Sequence, residues 1–204
     1  MIIKVCGMRE PQNIRDVEAL GVDWMGFIFW KESSRYVGRK PSYLPGNSRR
    51  VGVFVDAGMP DILAAVEDFR LDVVQLHGQE TPDAISALKG HIPGIRIVKG
   101  LAVAGPGDLE RTEAYESVCD AFLFDAKGRL PGGNGHSFDW SVLQRYQGRL
   151  PFLLSGGIGP GDAHRILEFN VPGCIGIDLN SRFETEPGLK DADALKTFIE
   201  TIRP

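Results

Sequence analysis

Cysteine is scarce. Cys6, Cys119 and Cys174 are the three in 204 residues, far apart and without C-x-x-C spacing, a pattern that suggests neither a disulfide framework nor a zinc ribbon and fits a reducing compartment. No apolar run approaches the roughly 20 residues of a membrane helix. The first residues read as a strand rather than a basic segment followed by a signal-type apolar run. Long basic runs are missing and the formal net charge is −4 with histidine neutral, which argues against nucleic acid or an anionic membrane as the main partner. A dinucleotide-binding G-x-G-x-x-G is absent after the first apolar run, where Cys6-Gly7-Met8-Arg9 stands instead. Neither Asp56 nor Asp178 is accompanied by H-x-E or paired-histidine spacing, so no metal is expected. These absences point to a soluble, cytoplasmic protein.

With 43% hydrophobic and 25% charged residues, the whole chain, 1–204, is expected to bury one core as one domain. Apolar runs alternate with segments able to form amphipathic helices. Strands are predicted at about 2–6, 24–29, 51–55, 72–76, 95–99, 121–124, 152–155 and 174–178. Helices are predicted at about 11–20, 59–69, 82–88, 108–116, 139–146, 161–169 and 191–202. Between the second and third strands, Pro41-Ser42-Tyr43-Leu44-Pro45-Gly46 has too many breakers for more than a turn or two. Eight strands with mostly helical crossovers predict an α/β fold, a single (β/α)8 barrel.

In such a barrel the C-terminal ends of the strands converge on one mouth. The polar groups there are Cys6, Ser34, Arg35, Asp56, Gln75, His77, Lys99, Asp125, Ser155, Gly156, Gly157, Asp178, Asn180 and Ser181. Cys6 ends the apolar strand Ile2-Ile3-Lys4-Val5 and is either a reactive thiol or a small core hydrophobe. Asp125 ends Phe122-Leu123-Phe124 and is either a general acid or a loop anchor. Ser155-Gly156-Gly157 before a helix, with Asn180-Ser181 after strand eight, offers backbone amides to a phosphate. Arg35 is a candidate clamp for a planar carboxylate, with a solvated loop arginine as the alternative. His77 reads as a hydrogen-bonded structural histidine before a catalytic one. The glycine-rich stretch 127–136 reads as a cover over a site.

The chain resembles the phosphoribosylanthranilate isomerase family of tryptophan biosynthesis. The likeness runs through Lys4-Val5-Cys6-Gly7-Met8, Gly26-Phe27-Ile28-Phe29, Ser34-Arg35-Tyr36-Val37, Gly52-Val53-Phe54-Val55 and Val74-Gln75-Leu76-His77-Gly78-Gln79-Glu80. It continues through Phe124-Asp125, Gly132-Gly133-Asn134-Gly135, Phe138-Asp139-Trp140, Ser155-Gly156-Gly157 and Pro187-Gly188-Leu189-Lys190-Asp191. These blocks span nearly the whole chain in family order. The resemblance implies an aldose-ketose isomerase performing the Amadori rearrangement of N-(5-phosphoribosyl)anthranilate to 1-(2-carboxyphenylamino)-1-deoxyribulose 5-phosphate. It puts the general base on Cys6 and the general acid on Asp125, without a cofactor. It also puts the carboxylate clamp on Arg35 and the phosphate cradle on Gly156, Gly157, Asn180 and Ser181. A thiol base is expected to have its pKa lowered by nearby donors or positive charge. The implied partner is the small-molecule substrate, and the oligomeric state is expected to be monomer or homodimer. Asn180 and Arg182 depart from the serine and glycine of many relatives, which bears on the detail of the cradle.

Two other readings compete. One is another phosphosugar isomerase or related phosphosugar barrel, of which an epimerase would want metal ligands at several strand ends and an indole-glycerol-phosphate synthase a lysine acid with a glutamate. A non-catalytic phosphosugar-binding barrel would need neither Cys6 nor Asp125.

Overall fold

The computed structural model describes residues 1–128 and 139–203. Eight parallel strands close into a ring in sequence order: β1 (Ile2–Cys6), β2 (Trp24–Ile28), β3 (Arg49–Phe54), β4 (Val73–Leu76), β5 (Arg96–Val103), β6 (Ala121–Ala126), β7 (Phe152–Leu154) and β8 (Cys174–Leu179). The ring shuts where β1 pairs with β8, Lys4 opposite Asp178. The chain therefore has the (β/α)8 barrel fold expected from the alternation of its runs.

Side chains alternate across each strand, so every barrel strand splits its residues between two cores. Ile3 and Val5 of β1, with Phe122 and Phe124 of β6, join the larger core between sheet and helices. Cys6, Val51, Val53, Val73, Val98, Leu123 and Leu153 fill the inside of the barrel. The same parity turns Lys4 and Cys6 inward on β1, and Leu123 and Asp125 inward on β6. Each run thus brings the polar group at its C-terminal end, Cys6 or Asp125, to the mouth.

Four crossover or closing helices follow the pattern: α1 (Pro11–Glu18), α2 (Met59–Phe69), α3 (Pro82–His91) and α5 (Ala192–Ile202). Thr81 caps α3 by accepting from the Ala84 amide at 3.2 Å, and Asp191 caps α5 by accepting from Ala194 at 2.9 Å. Leu195, Phe198, Ile199 and Ile202 form the buried stripe of α5. The other crossovers differ from the prediction. The segments expected as helices at 108–116 and 139–146 are 3-10 turns, Pro106–Tyr115 and Trp140–Arg145. The helix expected at 161–169 opens with a 3-10 turn, Pro160–Asp162, and leaves α4 only Ala163–Glu168. The stretch 41–46 forms bends and no helix, as its two prolines and glycine require. After β8 a 3-10 turn, Ser181–Phe183, leads into an unforeseen antiparallel hairpin, β9 (Glu184–Glu186) with β10 (Leu189–Lys190).

Candidate active site

One cleft opens at the C-terminal ends of the barrel strands, about 880 Å³ when counted out to solvent. Cys6, Arg35, Asp125, Gly156, Gly157, Asn180 and Ser181 all line it, as do Ser34, Gln75, His77, Ser155 and Asp178. Two strand-end groups from the sequence reading do not. Asp56 accepts from the Gln79 amide at 2.6 Å. Lys99 is fully buried, and its ammonium donates to the carbonyls of Leu76 (3.2 Å) and Gly78 (2.7 Å) and to Glu80 (3.0 Å). Both tie down the loop after β4 and stay out of the cleft.

Cys6 is 3% exposed and seated against the bare backbone of Gly26 in β2. Two residues below it on the same inward face lies Lys4, fully buried, with its ammonium 2.8 Å from Asp178 Oδ1. Burial works against the Lys4 charge, but Asp178 and Cys6 together outweigh it and the lysine pKa is raised. The thiol does not follow the expectation of a lowered pKa. Burial pushes Cys6 up, and Asp178 pushes the same way, against the cations of Lys4 and Lys190. Cys119 is also pushed up by burial, to about 12, and sits in the large core. Of the three cysteines, Cys6 alone lines the cleft.

Asp125 stands on β6, separated from β1 around the ring by β7 and β8. Its Oδ1 accepts from the Ala126 amide at 2.8 Å, and its Oδ2 lies 3.5 Å from His77 Nε2. The other ring nitrogen, Nδ1, is 3.0 Å from Gln75 Nε2. His77 is thus hydrogen-bonded to Gln75 and stands beside the Asp125 carboxylate in the cleft.

At the β7 end, Gly156 and Gly157 have φ of +89° and +70°, a region that favours glycine. A Cβ on Gly156 would lie 2.6 Å from the Ala126 nitrogen and 3.1 Å from Asp125 Oδ1. The turn thus passes its main chain close to the Asp125 carboxylate, and Ser181 lines the same cleft. Asn180 Oδ1 accepts from Lys190 Nζ at 2.7 Å, and its carbonyl accepts from the Phe183 amide at 3.1 Å. Arg182 is exposed, packs over Gly159 and is not among the cleft residues.

Arg35 lies at the β2 side of the cleft, joined to Glu184 by contacts of 2.7–2.9 Å. Trp30, Ile28, Val53 and Val55 give the neighbouring wall an apolar surface. The sequence reading missed Trp30, Lys4, Glu184 and Lys190. A lysine inside Ile2-Ile3-Lys4-Val5 was the available signal, because a charge in a buried strand needs a buried partner. The expected cover at 127–136 lies, from residue 129 on, outside the described residues, as do Gly132, Gly133, Asn134, Gly135 and Phe138. Among the described residues there is no cluster of three metal-ligating side chains and no helix long and apolar enough to cross a membrane.

Residues 3–201 match the family described as N-(5'-phosphoribosyl)anthranilate isomerase. The N-(5'-phosphoribosyl)anthranilate isomerase of Phocaeicola vulgatus is 49% identical over 203 residues, covering 100% of this chain and 98% of the relative. That of Parabacteroides distasonis is 48% identical over 208 residues, covering 99% and 93%. The crystal structure of phosphoribosyl anthranilate isomerase from Thermotoga maritima superposes with a TM-score of 0.85 at 29% identity, covering 100% of this chain and 99% of the other. A phosphoribosyl anthranilate isomerase in complex with reduced 1-(o-carboxyphenylamino)-1-deoxyribulose 5-phosphate superposes at 0.80 with 28% identity and the same coverage. With the barrel and the family match both running almost end to end, the chain belongs to the N-(5'-phosphoribosyl)anthranilate isomerase family and is an isomerase of tryptophan biosynthesis.

Proposed function

We propose that Cys6 and Asp125 carry out the rearrangement of N-(5-phosphoribosyl)anthranilate as general base and general acid. The observation behind this is their placement: a thiol and a carboxylate on separate strand tips of one cleft, with an amide-lined turn at one end and a guanidinium at the other. Asp125, in its protonated form, gives its proton to the furanose ring oxygen, and the ring opens to a Schiff base. Cys6, as thiolate, takes the C2′ proton. The electron pair of that C–H bond passes to the imine, so C1′ is reduced as C2′ is oxidised, and the enolamine tautomerises to the ketone. Electrons balance within the substrate.

The amides near Gly156, Gly157, Asn180 and Ser181 hold the phosphate, and Arg35 holds the anthranilate carboxylate. Fixing both ends places the ribose between base and acid, and such positioning supplies much of the rate of acid–base enzymes. Trp30 and the valines beside it suit the aromatic ring. The test is the loss of fluorescence or ultraviolet absorbance of phosphoribosylanthranilate, made fresh in the cuvette, on adding protein. No loss with folded protein would overturn the reading.

A further inference from the structure

Arg35 does not stand free in the cleft. Its Nε lies 2.9 Å from both oxygens of Glu184, and its Nη2 lies 2.7 Å from Oε2. A guanidinium has five N–H groups, and two of its edges match a planar carboxylate: Nε with Nη2, and Nη2 with Nη1. Glu184 occupies the first. Among the described residues nothing else accepts from the two hydrogens of Nη1 or the second of Nη2, and these are available to a ligand.

Glu184 is itself held from the other side. Its Oε1 accepts from Lys190 Nζ at 2.6 Å and from the Gly188 amide at 3.1 Å. Lys190 is clasped in turn by Asn13 of α1, whose side chain exchanges two 2.8 Å hydrogen bonds with the Lys190 backbone. The β9–β10 hairpin, outside the barrel ring, thus sets one carboxylate between two cations at the cleft's edge. One positive charge is left over beside a site that already contains Arg35 and Asn180.

We propose that Glu184 is the positioning residue that turns the Nη1–Nη2 edge of Arg35 toward the substrate carboxylate, making the β9–β10 hairpin part of substrate selection. The proposal rests on Arg35 as the carboxylate clamp. Simple Coulomb attraction predicts the reverse consequence, since removing the Glu184 charge leaves two cations and should tighten an anion. Orientation and charge therefore push the measured affinity in opposite directions.

The experiment compares two stable ligands, the reduced product analogue and the same molecule without its carboxylate, by calorimetry on wild type and Glu184→Gln, with steady-state kinetics alongside. Glu184→Gln is expected to weaken the carboxylated ligand and raise KM by about tenfold or more, the fold-change for one hydrogen bond to a charged group. The ligand lacking the carboxylate should change less than about twofold, and so should kcat. In an Arg35→Ala background the same change should add less than about twofold, because coupled residues lose their effect once the partner is gone.

Glu184→Gln with Lys190→Met restores the charge count and serves if the single variant does not fold. It should show the same loss of preference. Tightened binding of the carboxylated ligand, or equal losses for both ligands, would overturn the proposal. A wild type that does not distinguish the two ligands would instead overturn the clamp role of Arg35. A wild type that distinguishes them while Glu184→Gln keeps the full preference would overturn the positioning role alone.

Discussion

The Cys6 thiol rests against Gly26: a Cβ built on that glycine would lie 2.7 Å from Sγ, 3.1 Å from the Cys6 Cα and 3.2 Å from its Cβ. Cys6 and Gly26 are register partners in the β1–β2 pair, so β1 would have to move away from β2 to admit a methyl group. Gly26→Ala should cost about 1–3 kcal/mol, the range for overpacking a full core, and should lower kcat by displacing the thiol. Thermal melting with steady-state kinetics checks it. Wild-type values in both would mean that Gly26 does not set the position of Cys6.

Acid and base are not interchangeable in the proposed mechanism. Cys6→Ala and Asp125→Asn should each lower kcat by at least ~10²-fold, the usual scale for general acid–base groups, with little change in substrate affinity. Cys6→Ser should also be severely impaired, since a hydroxyl does not ionise near neutral pH. C2′-deuterated substrate separates the two roles. Proton abstraction should show an isotope effect in the Cys6 variants, while ring opening should limit Asp125→Asn and mask it. Near-wild-type turnover in folded Cys6→Ala would remove the thiol base from the mechanism.

The pH profile follows from the raised thiol pKa of the free enzyme. A base must be deprotonated to act, and the thiolate fraction at Cys6 should still be rising with pH above the range of an ordinary thiol. Lys4 and Lys190 both favour the thiolate, and Asp178 opposes it. Asp178→Asn should therefore move the rising limb of that titration to lower pH. A limb that stays put, or moves up, would show that Asp178 does not act on the thiol. Rates of iodoacetamide labelling at Cys6, followed by peptide mass, give the same titration without turnover.

The Lys4–Asp178 pair is buried on both sides at 2.8 Å. Lys4→Met should leave a buried carboxylate without its partner and destabilise the protein by about 3–5 kcal/mol. Lys4→Met with Asp178→Asn should recover much of that loss, since removing both charges leaves no unpaired ion. Urea unfolding of the three proteins tests it. Equal destabilisation of single and double variants would mean that packing, not charge, governs the site.

Gly157 has φ of +70° in the turn after β7, where a β-branched residue is strained and would crowd an anion lying on the main chain. Gly157→Val should raise KM strongly and weaken inorganic phosphate as a competitor, with kcat less affected. An unchanged KM in the folded variant would move the phosphate elsewhere.

Much of this was legible in the sequence because it depends on local periodicity. Apolar runs of four to eight residues separated by helix starts and turn residues determined eight parallel strands, and strand parity then put Cys6 and Asp125 at the same mouth. The glycines after β7 announced the amide-lined turn, since their tolerance of positive φ is a property of the residue itself. The 3-10 character of Pro106–Tyr115 and Trp140–Arg145 was not legible. A short crossover reads alike in either helix until its packing decides between i+3 and i+4 hydrogen bonds. Lys99 and Asp56 looked like mouth residues from spacing alone, yet nearby carbonyl and amide groups of the chain drew them into the β4 loop.

Only the tertiary structure decided the electrostatics. Glu184 meets Arg35 across 149 residues of chain, and Lys4 meets Asp178 across 174. No local pattern encodes such partners, because closing the barrel is what brings the two ends of the chain together. The direction of the Cys6 pKa has the same origin: sequence supplies the neighbouring cations, but the depth of burial, which outweighs them, exists only once the strands have closed around the thiol.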